Sequence, residues 1–166
     1  VIQIARTSAA RGRAGHATLS GEMALDLSIR AAETLRRIAV DGRTVYDASV
    51  ATPSLISALS ASDERLQITA ASVLALTPVP AAQRAIAHVA LDANNSKSLR
   101  VAAFGSLAES AKNNGNLLEE AQVATLVTIA KEDADLTIRT AASQTLGAIN
   151  LSNNKASEII RTYYGG

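Results

Sequence analysis

The chain lacks cysteine and tryptophan, and its aromatic residues are one phenylalanine and three tyrosines among 166 residues. Without cysteine it forms neither a disulfide nor a thiolate metal site, and this absence favours no particular compartment. Scarce aromatics disfavour a base-stacking platform and an aromatic ligand pocket. The two histidines, His16 and His88, are too few for a multi-histidine metal site, and structural positions are favoured for both. We therefore predict no metal and no cofactor.

An excess of one charge is also lacking, since 16 basic residues face 15 acidic ones for a formal net charge of +1. Proteins that bind nucleic acid carry a basic footprint, so nucleic-acid binding is disfavoured. No apolar run reaches the roughly 18 residues of a membrane-spanning helix, so we predict no membrane span. The chain begins at Val1 rather than methionine. We interpret it as a segment of a longer protein from which a targeting signal could be missing, which leaves the compartment open with the cytoplasm slightly favoured.

What the chain does have is alanine, its most frequent residue, and a nine-residue pattern that occurs four times. Each copy begins with a large aliphatic residue, has alanine four residues later, and ends with leucine four residues after that. Repetition at intervals of 39, 33 and 39 residues is typical of stacked helical repeats. The first residues of the copies are Leu27, Leu66, Leu99 and Ile138.

The pattern predicts helices that are apolar on two faces. At about 100° per residue, offsets 0, +4 and +8 form one stripe, and offsets +2 and +5 form a second, nearly opposite. The fourth copy weakens the second stripe with Thr140 and Ser143. A helix with two apolar stripes contacts its own partner helix on one side and the adjacent repeat on the other. This favours a solenoid over an isolated four-helix bundle.

Polar residues mark where these helices begin. Asp63, Ser96 and Asp135 each precede the first residue of their copy by three positions. A short polar side chain there accepts a hydrogen bond from a free backbone N–H of the first turn, so we predict three N-caps in the same register. The first copy has Ala24 at that place, and its helix is predicted from about Ser20 to Val40.

Shorter helices are predicted between these. Thr52 is read as an N-cap followed by Pro53, Pro80 opens a helix to about residue 91, and Asn116 to Glu119 resembles a capping box. The single domain 1–166 then contains repeats at approximately 1–40, 46–77, 80–112 and 116–150, with a partial repeat at 154–164.

The segment Asp135-Leu-Thr-Ile-Arg-Thr-Ala-Ala142 resembles the second helix of HEAT repeats, as does Leu99-Arg-Val-Ala-Ala103. The bacterial HEAT-like group named after phycobilisome lyases is the most similar. The second copy departs from the pattern with Gln67 in place of arginine, and the first has Arg30 displaced by two positions. Over about residues 20–150, the resemblance implies an all-α, right-handed α-solenoid of about four helix pairs plus a leftover helix. It also implies a scaffold role more often than catalysis.

Arg100 and Arg139 have two readings. They could form an anion-binding ladder along one edge, or each could bond locally to the polar residue four positions earlier, Ser96 or Asp135. The local reading is favoured. The HEAT resemblance adds that such aspartate–arginine pairing ties neighbouring repeats together.

Offset +6 of each copy avoids both apolar stripes, so we predict an exposed ridge that binds a protein partner or other domains of the parent chain. With flanking residues, the ridge consists of Arg30, Glu33, Arg37, Ser72, Gly105, Glu109 and Gln144. The basic N-terminal third is read as a solvated face, or as a contact with a missing upstream domain, rather than as a phosphate-binding patch.

No catalytic residue is predicted, because the chain has no nucleophile elbow, Walker loop or dinucleotide fingerprint. A non-catalytic interaction or scaffold module is therefore favoured over an enzyme. The alternatives are an enzyme or nucleic-acid-binding domain similar to DNA glycosylases or bilin lyases, and a purely structural segment of a larger chain.

Overall fold

The chain is all-helical over the residues that a computed structural model describes, which are 21–41 and 48–150 together with Ser157 and Arg161. No β-strand occurs within those residues, so the predicted all-α class is confirmed. The start of the predicted repeat 1–40 and the predicted partial repeat 154–164 lie outside them, apart from those two single residues. The described α-helices are α1 (Gly21–Asp41), α2 (Thr52–Ala58), α3 (Glu64–Leu74), α4 (Pro80–Leu91), α5 (Lys97–Asn114), α6 (Glu120–Glu132) and α7 (Leu136–Ala148), and a 3₁₀-helix (Ala48–Ala51) leads into α2.

Helices α3, α5 and α7 begin at the three polar residues that share one register. Asp63, Ser96 and Asp135 each accept a hydrogen bond from the backbone N–H three residues later, at 3.1, 3.1 and 3.3 Å. Asp135 accepts a second one, from the N–H of Thr137 at 2.8 Å. Because a helix leaves the N–H groups of its first turn without partners in the helix, these bonds fix where each helix starts.

Helix α6 begins later than the sequence predicts. Its N-cap is Glu119 rather than Asn116, and the Oε1 atom of Gln122 accepts a hydrogen bond from the backbone N–H of Glu119 at 3.2 Å. The cause is a contact with α4, since the N–H of Leu117 donates to Oε1 of Gln83 at 2.7 Å. This bond holds the loop before α6 against α4, so α6 begins only after the contact at Leu117.

The prediction that Thr52 is an N-cap is wrong, because Thr52 is the first residue of α2. The N-cap position belongs to Ala51, whose φ of −83° and ψ of −10° are already helical. A capping residue needs an extended backbone, and the preceding 3₁₀-helix excludes one here. Pro53 does lie in the first turn. The buried Thr52 hydroxyl has no hydrogen-bond partner among the described residues.

The described helices pack in two rows. Helices α1, α3, α5 and α7 contact one another in succession, while α2 packs on α3, α4 on α5 and α6 on α7. Helices α4 and α6 also contact each other. Helices α3 and α5, in the middle of the first row, therefore each contact a partner helix and also the preceding and following helices of the first row. A helix that is covered on several sides requires the two apolar stripes of its sequence.

The core lies between the rows and combines large aliphatic residues with many alanines. Small residues such as Ala70, Ala103 and Ala142 are fully buried, which lets neighbouring helices approach closely. Leu27 departs from the other copies, since it is 42% exposed whereas Leu99 is 3% exposed. The large side chains that are fully buried include Leu55, Leu74, Ile86, Phe104, Leu107, Leu126, Ile138 and Ile149.

The second apolar stripe changes character in α7. Phe104 in α5 is fully buried, whereas Thr140 and Ser143 at the corresponding stripe of α7 are exposed. Helix α7 is joined to α5 by the buried Thr145, whose hydroxyl lies 2.9 Å from the carbonyl oxygen of Phe104 and 2.8 Å from that of Ala141. A side chain on one helix is thus bonded to the backbone of the next.

Candidate interaction surface and the contacts that hold it

The four ridge residues at offset +6 occupy equivalent positions on α1, α3, α5 and α7, which pack in succession. Glu33 on α1, Gly105 on α5 and Gln144 on α7 are exposed. Ser72 on α3 is half-buried, and its hydroxyl donates to the carbonyl oxygen of Thr69 at 2.8 Å. The four positions are therefore open to solvent to different degrees, with α3 the least.

Charge on this surface is concentrated on α1. Arg30 and Arg37 are both exposed, and Nε of Arg30 lies 3.0 Å from Oδ2 of Asp26, which partly neutralises its charge. Glu109 on α5 is half-buried. The ridge positions at offset +6 on α3, α5 and α7 are serine, glycine and glutamine. Apart from Glu109, the surface therefore changes along the row from charged residues on α1 to uncharged ones on α3, α5 and α7.

Arg100 does not bond to Ser96, so the prediction of a local contact is wrong. Its side chain is only 9% exposed, Nε donates to the carbonyl oxygen of Ala90 at 3.2 Å, and Nη2 donates to Oδ2 of Asp133 at 3.1 Å. The local contact fails because the side chain points into the packed interface, where a carboxylate after α6 is within reach. Arg100 therefore joins α4, α5 and the α6–α7 turn.

Arg139 does not pair with Asp135 either. Its Nη1 donates to the backbone carbonyl oxygen of Asp133 at 3.0 Å. The carboxylate of Asp135 instead lies 2.7 Å from Nζ of Lys97, on α5. Both arginines thus contact Asp133, since Arg100 bonds to its carboxylate and Arg139 bonds to its backbone carbonyl oxygen. Neither is left as a free member of an anion-binding ladder.

The N-terminal ends of α3, α5 and α7 are joined by exposed polar contacts. The hydroxyl of Ser96 donates to Oε2 of Glu64 at 2.8 Å, and Lys97 pairs with Asp135. The hydrogen bond from Lys97 is the main cause that lowers the pKa of Asp135 to about 2, assisted by the backbone N–H groups that Asp135 caps and opposed by partial burial. The backbone N–H of Leu66 likewise lowers the pKa of Asp63.

The opposite ends of α3 and α5 are joined by a buried, uncharged junction. Gln83 of α4 is fully buried, and its Nε2 donates to the hydroxyl of Ser110 at 3.1 Å and to the carbonyl oxygen of Gly115 at 3.0 Å. Its Oε1 accepts the N–H of Leu117. Asn114 at the end of α5 donates through Nδ2 to the carbonyl oxygens of Ala75 and Thr77, at 3.3 and 3.4 Å.

Sequence reasoning missed this junction, although one signal was available. Gln83 lies on the apolar stripe of α4 formed by Ala82, Ile86 and Ala90, where a polar residue needs a buried partner. The sequence does not indicate which group Gln83 bonds to, because the bonded groups lie 27 to 34 positions further along the chain.

A shallow groove of about 330 Å³ lies between α4 and α6. His88 is exposed there, near Asp92, whose pKa is lowered by the backbone N–H of Asn94 and further by the Asn94 side chain and by His88. The hydroxyl of Thr125 donates to the carbonyl oxygen of Ala121 in its own helix at 2.9 Å. The groove is lined by His88, Leu91, Asp92, Ala121, Gln122 and Thr125.

Within the described ranges, no three histidine, aspartate or glutamate residues gather into a group that could hold a metal ion. None of the helices described there is long and apolar enough to cross a membrane. His16 lies outside these ranges. Comparison with profiles of known protein families gives no match, and comparison with curated proteins gives none either. What this surface can bind is therefore inferred from its own residues.

Proposed function

We propose that the chain is part of a right-handed, HEAT-like α-solenoid that acts as a non-catalytic protein-interaction module. The observation that carries this proposal is the succession of α1, α3, α5 and α7, in which each helix contacts the next and each carries one copy of the nine-residue pattern. The Arg100–Asp133 pair supports it, since this contact joins the helix of the third copy to the turn that leads into the helix of the fourth.

The partner binds along the ridge that these helices present, on the concave face of the solenoid. Gly105 has no side chain, and an added Cβ there would meet no atom within 4 Å, so the main chain of a partner can approach α5 closely. Arg30 and Arg37 at the α1 end supply the charge that orients the partner. A protein segment with small residues facing α5 and an acidic end facing α1 fits this surface.

The experiment is affinity capture with this chain as bait, in lysate of its source organism, with and without nuclease and high salt. The test variant combines Arg37→Glu with Glu109→Arg, which reverses charge at both flanks of the ridge and keeps the net charge. The matched control combines Arg36→Glu with Glu132→Arg. Arg36 and Glu132 are also exposed, but they lie off the ridge on α1 and α6.

We expect capture of a stoichiometric protein that is retained after nuclease treatment. The affinity for this protein should fall by about tenfold or more in the test variant and stay unchanged in the control variant. Circular dichroism and the melting temperature establish that both variants fold, because Glu109 is half-buried. Equal retention by both variants shows that the ridge is the wrong surface. Capture lost to nuclease favours the nucleic-acid alternative, and an empty eluate favours a structural segment of the parent chain.

A further inference from the structure

The junction at the end of α5 contains the dipeptide Asn114-Gly115. An asparagine followed by glycine is the sequence in which an asparagine side chain reacts most readily with its own backbone. Glycine has no Cβ to obstruct the attack of its nitrogen on the preceding side-chain carbonyl carbon. Gly115 is exposed, has a φ of +75°, and has open space around it, so water can reach this dipeptide.

We propose that Asn114 is a site of spontaneous deamidation whose product opens the junction between α3, α4 and α5. The Gly115 nitrogen gives its proton to a solvent base and forms a bond to Cγ of Asn114. The Cγ–Nδ2 bond then breaks, and ammonia leaves after taking a proton from solvent. Water adds to one carbonyl of the resulting succinimide and opens the ring to aspartate or isoaspartate, so the net reaction exchanges an amide and water for a carboxylate and ammonium.

The folded structure opposes this reaction through two contacts. The N–H of Gly115 donates to the carbonyl oxygen of Ala111 at 2.9 Å, and the Asn114 amide is held by the carbonyl oxygens of Ala75 and Thr77. The nitrogen cannot attack until the last turn of α5 opens. Terminal helical turns open locally at low cost, so the reaction proceeds through a minor open state and its rate reports how often the junction opens.

The product cannot rebuild the junction. A carboxylate at position 114 has no hydrogen to donate, and it would face the two carbonyl oxygens that the amide now contacts. Isoaspartate also lengthens the backbone just before Gly115, whose carbonyl oxygen accepts the Gln83 bond. Deamidation therefore removes the Asn114 contacts directly and displaces those of Gln83.

The test is to incubate the purified chain at physiological temperature and mildly alkaline pH, then map deamidated peptides by mass spectrometry. Asn113 is an internal reference, because it is more exposed than Asn114 but is followed by asparagine. We expect modification to accumulate at Asn114 first, together with released ammonia and isoaspartate. Modification that is no faster at Asn114 than at Asn113 overturns the proposal.

Two variants separate chemistry from folding. Gln83→Leu loosens the junction at similar side-chain volume, and we expect Asn114 to deamidate on the order of tenfold faster in it, equivalent to about 1.4 kcal/mol of opening free energy. Asn114→Gln retains an amide but reacts far more slowly, so after incubation its melting temperature should stay constant while that of the wild type falls. An unchanged rate in Gln83→Leu, or equal losses in the wild type and Asn114→Gln, contradicts the proposal.

Discussion

The two ends of α3 and α5 are held by different chemistry. At their N-terminal ends, Ser96 and the Lys97–Asp135 pair form contacts that are largely open to solvent, and the Arg100–Asp133 pair is the nearly buried exception. At their C-terminal ends, Gln83 and Asn114 form contacts between uncharged groups that are wholly or partly buried. Exposed charge pairs contribute little and respond to salt and pH, whereas a buried polar group becomes costly when its partner is removed. The two ends should therefore respond differently to the same kind of perturbation.

The largest loss of stability is expected for Asp133→Ala, which acts on the buried charge at the N-terminal end. It leaves the nearly buried Arg100 guanidinium without a counter-ion, and we expect the free energy of unfolding to fall by about 3 kcal/mol. Arg139 is spared, because it contacts the backbone of residue 133. Urea denaturation followed by circular dichroism measures the loss. The exposed neighbour Glu132→Ala is the control, and an equal effect of the two changes would show that the pair contributes nothing.

The C-terminal junction is tested by Gln83→Ala. The change leaves the Ser110 hydroxyl, the Gly115 carbonyl and the Leu117 N–H without their partner, so we expect a loss of about 2 kcal/mol. No charge takes part, and the loss should be the same at low and high salt. Denaturation at two salt concentrations measures both quantities. The exposed Gln144→Ala should be nearly neutral, and a strongly salt-dependent loss would erase the contrast between the two ends.

A smaller effect is expected for Ser96→Ala, which removes the N-cap of α5 and the hydrogen bond to Glu64. We expect the free energy of unfolding to fall by about 1 kcal/mol. Ser98→Ala, on the same helix and exposed, is the control. A loss shared equally by the two variants would mean that the cap and the bond to Glu64 contribute no stability of their own.

The smallest effect is the acid response of the Lys97–Asp135 pair. The pKa of Asp135 is about 2 in the folded chain against an ordinary 3.8, so its contribution is fully present above pH 3.8 and is lost as the pH falls towards 2. Lys97→Met removes the main cause of the lowered pKa, so its stability should decline less than that of the wild type over this range. Urea midpoints across the range measure the difference, and parallel curves would show that the pair is not coupled to folding.

The sequence was sufficient for features that depend on nearby residues. Asp63, Ser96 and Asp135 could be recognised as caps because a cap needs only a short polar side chain a fixed distance before an apolar stripe. The helix from Pro80 to Leu91 was predicted with both of its ends. These features would be present in almost any packing of the helices.

The sequence was insufficient where the partner is chosen by packing. Arg100 has Ser96 one turn away, yet it bonds to Asp133 because packing α5 beside α7 places that carboxylate beside a buried guanidinium. Asn116 has the residue type of a cap, but the loop is already tied to Gln83. The ridge could be predicted as a set of positions, while the half-burial of Ser72 and Glu109 depends on how neighbouring helices are tilted and spaced.

The hydroxyl of Thr145 has a mechanical consequence. Apolar contacts between two helices set their separation but resist sliding weakly, since one methyl group can replace another as the helices move along their axes. The bond from Thr145 to the carbonyl oxygen of Phe104 exists in one axial register only. A shearing force along α7 must break this buried bond before the helices slip, so α5 and α7 should move together as one stiff unit when the chain is pulled.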